Sequence, residues 1–320
     1  MVSKVKLFAC VGAVACLALS PACKKDGGDS AKSGGLGTKA TKKAAASALS
    51  YMPANAKAVL GVNIAAAMNA PVLAKYKDMM MKKMNAEITD VQKECGLDIA
   101  KDITSITFGF VGKQEVVAVV TGDFDQKKAE GCLIAAAKKD GKEIKMTDDG
   151  KFRVYSNGND DPKPLVVYWA DNSAIITQQE SKSLLTEVIN GKKLGDGSVM
   201  SLIKSTKTSA SMWFAGDPGA MGADVPAQGI NGVAGTINVD KTIDVKALVN
   251  FTDESKAKDA NNTMSMGLMM VKGQAMAKPF LPIIEKLKVE QDGKAIKIGI
   301  SLTSDDLTTI EKAIGPMLMR

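Results

Sequence analysis

The sequence contains no histidine. That removes the side chain most often used as a general base and as a metal ligand, and it weighs against most hydrolases and zinc enzymes. Aromatic residues make up only 4% of the chain, too few to supply a sugar-stacking platform or a base-stacking surface. A membrane-spanning helix needs roughly 20 apolar residues; the apolar run from Leu7 to Leu19 has 13. Gly-x-Ser-x-Gly, the Walker loop, the dinucleotide fingerprint and Cys-x-x-Cys are all missing. Ser201-Leu202-Ile203-Lys204 has Ser-x-x-Lys spacing, but without Ser-Asp-Asn or Lys-Thr-Gly motifs to support it, the match reads as chance.

Positive charge is present, but not where a binding domain would carry it. Of the net +7, the first 22 residues supply two through Lys4 and Lys6. Residues 24–46 supply a net four, from six lysines and two aspartates, and one remains for the rest of the chain. The body is nearly neutral, so the basic isoelectric point is no argument for a nucleic-acid partner. The lysines of 24–46 would be solvated or lie against anionic lipid head groups.

Lys4 and Lys6 followed by the 13-residue apolar run, then Ser20-Pro21-Ala22-Cys23, have the layout of an export signal. The bond before Cys23 suits an ordinary signal peptidase as well as the lipoprotein enzyme; an uncleaved anchor is the remaining alternative. The Ser20-Pro21-Ala22-Cys23 segment resembles the lipobox of bacterial lipoproteins. That resemblance implies a lipid on Cys23, palmitate among its acyl chains, and membrane attachment through it. Lys24 stands where an aspartate would favour inner-membrane retention, so an outer-membrane position facing the periplasm or the surface is expected. Residues 1–22 are then the signal peptide and 23–49 the lipidated cysteine and flexible tether. The tether is Lys, Gly, Ser, Ala, Thr and Asp, a composition that cannot bury enough apolar surface to order itself. A helical turn at Thr41–Ser47 is the exception.

The body divides into similar halves, 50–195 and 196–320. In the first, strands are expected at Lys57–Ile64, Ile103–Val111 and Glu115–Phe124, a helix at 126–139, then short strands at Phe152–Ser156, Leu165–Ala170 and Ala174–Thr177 and a helix at Glu180–Asn190. In the second, strands at Thr208–Ala215, Gly232–Val239 and Ile243–Phe251 precede a helix at 254–272. Strands at Leu287–Gln291 and Ala295–Leu302 follow, turning at Asp292-Gly293, a strong hairpin signal. A last helix spans Ser304–Leu318, with Thr303 and Asp306 at capping-box spacing. The fold class is α+β: two halves of β-α-β-β-α-β-β-α type, with mostly antiparallel sheets and helices packed on one face. The layout resembles uncharacterised repeat-containing bacterial lipoproteins, which implies no activity.

The halves differ after their first strands. The first has a helix expected over Pro71–Cys95, with Val72, Tyr76, Met80, Met84, Ile88, Val91 and Cys95 on one stripe. The second has a Gly/Pro-rich stretch over 216–229. Its residues Asp217, Pro218, Met221, Asp224, Val225 and Pro226 form a candidate contact loop, or else filler where a helix was lost. Removal of the signal and acylation of Cys23 leave Cys95 and Cys132, both on inward helix faces; an exported protein would bridge them, and two buried free thiols are the alternative. Methionine, at 18 residues, clusters at Met79, Met80, Met81 and Met84 and at Met264, Met266, Met269 and Met270. Core packing is the favoured reading, ahead of a plastic apolar groove or a Cu(I) site. Asn157-Gly158-Asn159-Asp160-Asp161 is a polar turn rather than a calcium loop, because the EF-hand spacing is missing. Trp169 and Trp213 are assigned to packing. No metal or cofactor is expected.

The function that fits is an envelope-tethered, non-enzymatic lipoprotein that binds a partner protein or an apolar ligand. The alternatives are a periplasmic carrier of lipid or other apolar cargo, and an enzyme using carboxylate or Ser/Lys chemistry.

Overall fold

A computed structural model describes residues 37–75, 96–112, 115–139, 141, 143–156, 163–221 and 229–318. The strands are β1 (Ala58–Asn63), β2 (Ile103–Phe110), β3 (Val116–Gly122), β4 (Lys145–Asp149), β5 (Phe152–Ser156), β6 (Leu165–Ala170), β7 (Ser173–Gln178), β8 (Met212–Gly216), β9 (Ile230–Val239), β10 (Ile243–Phe251), β11 (Lys288–Asp292) and β12 (Ala295–Leu302). They form one sheet in the spatial order β11-β12-β10-β9-β8-β1-β2-β3-β7-β6-β5-β4. Neighbouring strands are antiparallel throughout.

The two expected halves meet at the β1–β8 pair and share a single sheet. Outward from that seam the strands run β1-β2-β3-β7-β6 on one side and β8-β9-β10-β12-β11 on the other. In each arm a helix follows the third strand, and the closing hairpin returns to lie beside that same strand. The first arm adds the β4–β5 hairpin at its outer edge. Strand β4, with the sequence KMTDD, has almost no apolar signal and is absent from the sequence-based expectation. Its charges suit an edge strand, where they discourage pairing with another chain.

The helices are α1 (Gly37–Leu49), α2 (Ile64–Met68), α3 (Ile99–Asp102), α4 (Gln126–Lys139), α5 (Lys182–Ile189), α6 (Ser198–Lys204), α7 (Glu254–Gly273), α8 (Leu281–Ile284) and α9 (Ser304–Leu318). The α+β class with a large antiparallel sheet is as expected, but the helices cover both faces of the sheet. On one face Ala45 and Ala48 of α1, Leu184 and Leu185 of α5, and Leu202 and Ile203 of α6 pack with Val59, Val117, Val119 and Trp213. On the other, Leu133 of α4 meets Val62, Ile106 and Val120, while Ala257 and Met264 of α7 meet Phe251 and Ile296. Residues 117 and 119 point opposite to residue 120 because side chains alternate along a strand. Both sides of the central strands are apolar, so each needs its own cover.

The flexible tether expected over 23–49 gives way at Gly37 to α1. Ala44, Ala45 and Ala48 are buried there. Alanine is the best helix former and lets a helix lie close to a sheet, so a segment that looks too polar to order finds a place. The expected Pro71–Cys95 helix begins as a short 3-10 turn at Pro71–Leu73; residues 76–95 lie outside those described.

Candidate contact surface

Two acidic turns launch the helices that follow β3 and β10. Asp125 Oδ1 accepts the Lys128 N–H at 2.7 Å, and Asp253 Oδ1 accepts the Lys256 N–H at 2.9 Å. Each carboxylate takes up an N–H that the first helical turn leaves unsatisfied. The second of these caps sets the course of α7, and α7 carries the largest exposed apolar feature described.

Ala257, Ala260 and Met264 recur at helical spacing and pack against Phe251, Val249, Ile296 and Ile298. Met266, Met269 and Met270 lie about 140–240° around the helix from Met264, on its opposite side. They are 61%, 66% and 69% exposed. The core reading therefore holds for Met264 and fails for Met266, Met269 and Met270. One helix cannot turn both stripes inward against one sheet. Lys272 stands at the end of the ridge, in the last turn of the helix. Met79, Met80, Met81 and Met84 lie outside the described residues.

The candidate contact loop is partly built into the fold. Gly216 has φ of +135°, and a Cβ there would run into the Lys57 carbonyl at 2.3 Å. Asp217 donates its N–H to Lys57 O at 2.9 Å and accepts the Gly219 N–H on Oδ1 at 2.8 Å. Pro218–Met221 form a 3-10 turn in which Pro218 and Ala220 are buried, leaving Asp217 exposed. Asp224, Val225 and Pro226 lie outside the described residues, as do Cys23, Cys95 and the turn at Asn157–Asp161. Cys132, on α4, is disulfide-bonded; Cys95 as its partner remains an expectation.

A polar cluster that the sequence did not single out joins α4 to the outer strands. Glu130 Oε1 accepts from the Tyr155 hydroxyl at 2.8 Å and from Arg153 Nε at 3.2 Å. Trp169 Nε1 donates to the Tyr155 oxygen at 3.2 Å, and Arg153 also pairs with Asp148 at 2.7 Å. Burial, reinforced by the bond to Glu130, pushes the Tyr155 phenol well above its ordinary pKa. A phenol held protonated in this way is a fixed donor rather than a nucleophile. Its partners, 25 and 14 residues away, are Glu130 on α4 and Trp169 on β6, and the packing of that helix on the sheet brings them together, which spacing along the chain does not reveal.

Ser201 and Lys204 do not form a reactive pair. Lys204 Nζ bonds Asp196 Oδ1 at 2.6 Å in solvent. Ser201 lines a shallow open groove of about 260 Å³ with Ser198, Leu202, Ser205, Asn231, Leu248 and Asn250. Trp213 is buried and Trp169 packs edge-on against Phe124, as the packing assignment requires. Among the described residues, no three Asp, Glu, Cys or His gather to hold a metal ion, and no helix is long and apolar enough to cross a membrane.

No family model and no curated protein matches the sequence. Among solved structures, "Structure of crystal form I of TP0453" is similar at 10% identity and a TM-score of 0.43, covering 83% of this chain and 97% of that one. "Structure of crystal form III of TP0453" has 10% identity and a TM-score of 0.46, covering 83% and 98%. Likeness at that level assigns no role to any residue here.

Proposed function

We propose that this protein is a non-enzymatic, envelope-tethered lipoprotein whose body docks a partner protein. The observation that carries the proposal is the outward methionine ridge of α7, Met266, Met269 and Met270. Solvent-exposed apolar side chains at helical spacing cost solubility unless a partner covers them, and thioethers adapt to partners of varied shape. The ridge stands exposed on the outer side of α7, which favours a protein surface over an enclosed apolar cargo. Lipid attachment at Cys23 and an outer-membrane address rest on the N-terminal sequence.

Photo-crosslinking in living cells tests the docking. A crosslinker placed at Met269 should yield a discrete protein adduct, and Met266→Gln with Met270→Gln should abolish it. A crosslinker at exposed Lys192 on the opposite face serves as control. Adducts equal at both positions, or none at 269, would reject the ridge as a docking surface. Metabolic labelling with a palmitate analogue tests the anchor: label should enter the wild type and vanish in Cys23→Ser.

A further inference from the structure

Helix α1 lies across β2 and β3 and meets the core through Ala45, Ala48 and the partly buried Leu49. Ala45 and Ala48 complete the cluster of Val59, Val117 and Val119. The same sheet face also carries a row of buried polar side chains. Ser173 on β7, Thr121 on β3, Ser105 on β2 and Asn63 on β1 stand opposite one another in register. Ser211, just before β8, continues the row. All five are buried. Thr107 is the next residue of β2 on that face, opposite Val119 and Gly61.

Part of the row is satisfied. Ser211 Oγ accepts the Val239 N–H at 3.0 Å, and Asn63 Nδ2 donates to the Thr208 and Ala210 carbonyls. Ser105 Oγ, Thr107 Oγ1 and Asn63 Oδ1 are buried with no hydrogen-bond partner. With α1 packed on β2, the Ser105 and Thr107 hydroxyls lose their water and gain nothing in return. Alanine offers little apolar area against that loss, and a helix of 13 residues is marginal on its own. The chain is firmly held just beyond it. Met52 is fully buried over Gly109, its carbonyl accepts the Leu194 N–H at 2.8 Å, and Pro53 bridges to Lys193.

We propose that α1 is a releasable strap. It lifts from β2 and β3 while the sheet stays folded, with the chain pivoting at Ser50–Tyr51 and Met52 remaining seated. Release lets water reach Thr107 and Ser105 and uncovers a surface of valines and hydroxyls on the central strands. Once detached, α1 melts into a coil whose ends lie about 20 Å apart. Release does not depend on the docking role of α7.

Hydrogen exchange of the full chain, read by mass spectrometry, tests this. Amides of residues 43–49 should exchange at least tenfold faster than those of β1, β2 and β3. Thr107→Val removes one unpartnered hydroxyl at constant shape and should slow α1 exchange about tenfold without slowing β1. Ser105→Ala should act in the same direction and carries the test if the Thr107 variant does not fold. Thr107→Ser keeps the hydroxyl and should not slow α1. Exchange of α1 in step with β1–β3 would overturn the proposal. So would failure of both hydroxyl-removing variants to slow it, or slowing by Thr107→Ser.

Discussion

Gly61 of β1 lies directly opposite Trp213 of β8, and the indole occupies the space above the glycine. A Cβ at position 61 would stand 2.2 Å from the ring. This contact sits on the strand pair that joins the two arms of the sheet.

Gly61→Ala should therefore displace the indole and destabilise the protein by about 3 kcal/mol, as overpacking of a rigid core does. Trp213→Ala should cost about 3–5 kcal/mol through the cavity it leaves. Urea unfolding followed by circular dichroism measures both. If the arms act as one cooperative unit, each variant should show one transition shifted to lower urea, with no plateau.

Asp306 ties the end of the chain to its neighbours. Its carboxylate accepts from the Thr303 N–H at 2.7 Å and from Lys286, while the Asp306 N–H donates back to Thr303 Oγ1 at 3.3 Å. The Lys286 bond, then the Thr303 N–H, lowers its pKa below the ordinary carboxylate value. The sign follows directly: this stabilisation is complete above the unfolded pKa of about 4 and disappears as pH falls through the lower native value. Asp306→Ala should cost about 1–2 kcal/mol at pH 7. The deficit should shrink below pH 4 when thermal stability is measured across pH.

The Glu130 cluster should behave as a coupled unit. Tyr155→Phe should cost about 1 kcal/mol, the worth of one hydrogen bond. Glu130→Ala should cost more, because it strands both the phenol and one side of Arg153. A double-mutant cycle between them should give a coupling energy of at least about 0.5 kcal/mol. Additive effects would mean that the bond contributes nothing.

Met266→Gln, Met269→Gln and Met270→Gln should each change stability by less than about 0.5 kcal/mol, since each side chain is mostly in water. Loss of crosslinking without loss of stability would separate docking from folding. A large destabilisation would place these residues in a core that the exposure values deny.

What the sequence disclosed depended on the range of the interaction. The Asp292-Gly293 turn, with Gly293 at φ of +56°, and the Thr303/Asp306 box are set by neighbours along the chain, and both are found as expected. Short, continuously apolar runs marked central strands such as Val116–Gly122, because both of their faces are buried. The β1–β8 seam joins residues some 150 positions apart, and no local pattern marks it. Met266 and Met264 are chemically identical, so composition could not say which side of α7 each would face. Helix α6 was missed because its seven residues are too few to display a period. The placement of α1 escaped for another reason: alanine reads as neutral in a polar segment, yet here it is the surface that meets the sheet.

The position of β1 in the middle of the sheet governs how the chain must be assembled. As the polypeptide emerges from its N-terminal end, β1 can pair with β2 as soon as residue 110 is out. Its other edge has no partner until Met212–Gly216 arrives. For about a hundred residues of growth, the nascent protein presents Ala58–Asn63 as an open, largely apolar strand edge, the kind of edge that recruits unrelated strands. Chaperone protection during biosynthesis is needed most over that interval, and truncated chains ending before residue 212 should aggregate where the complete one does not.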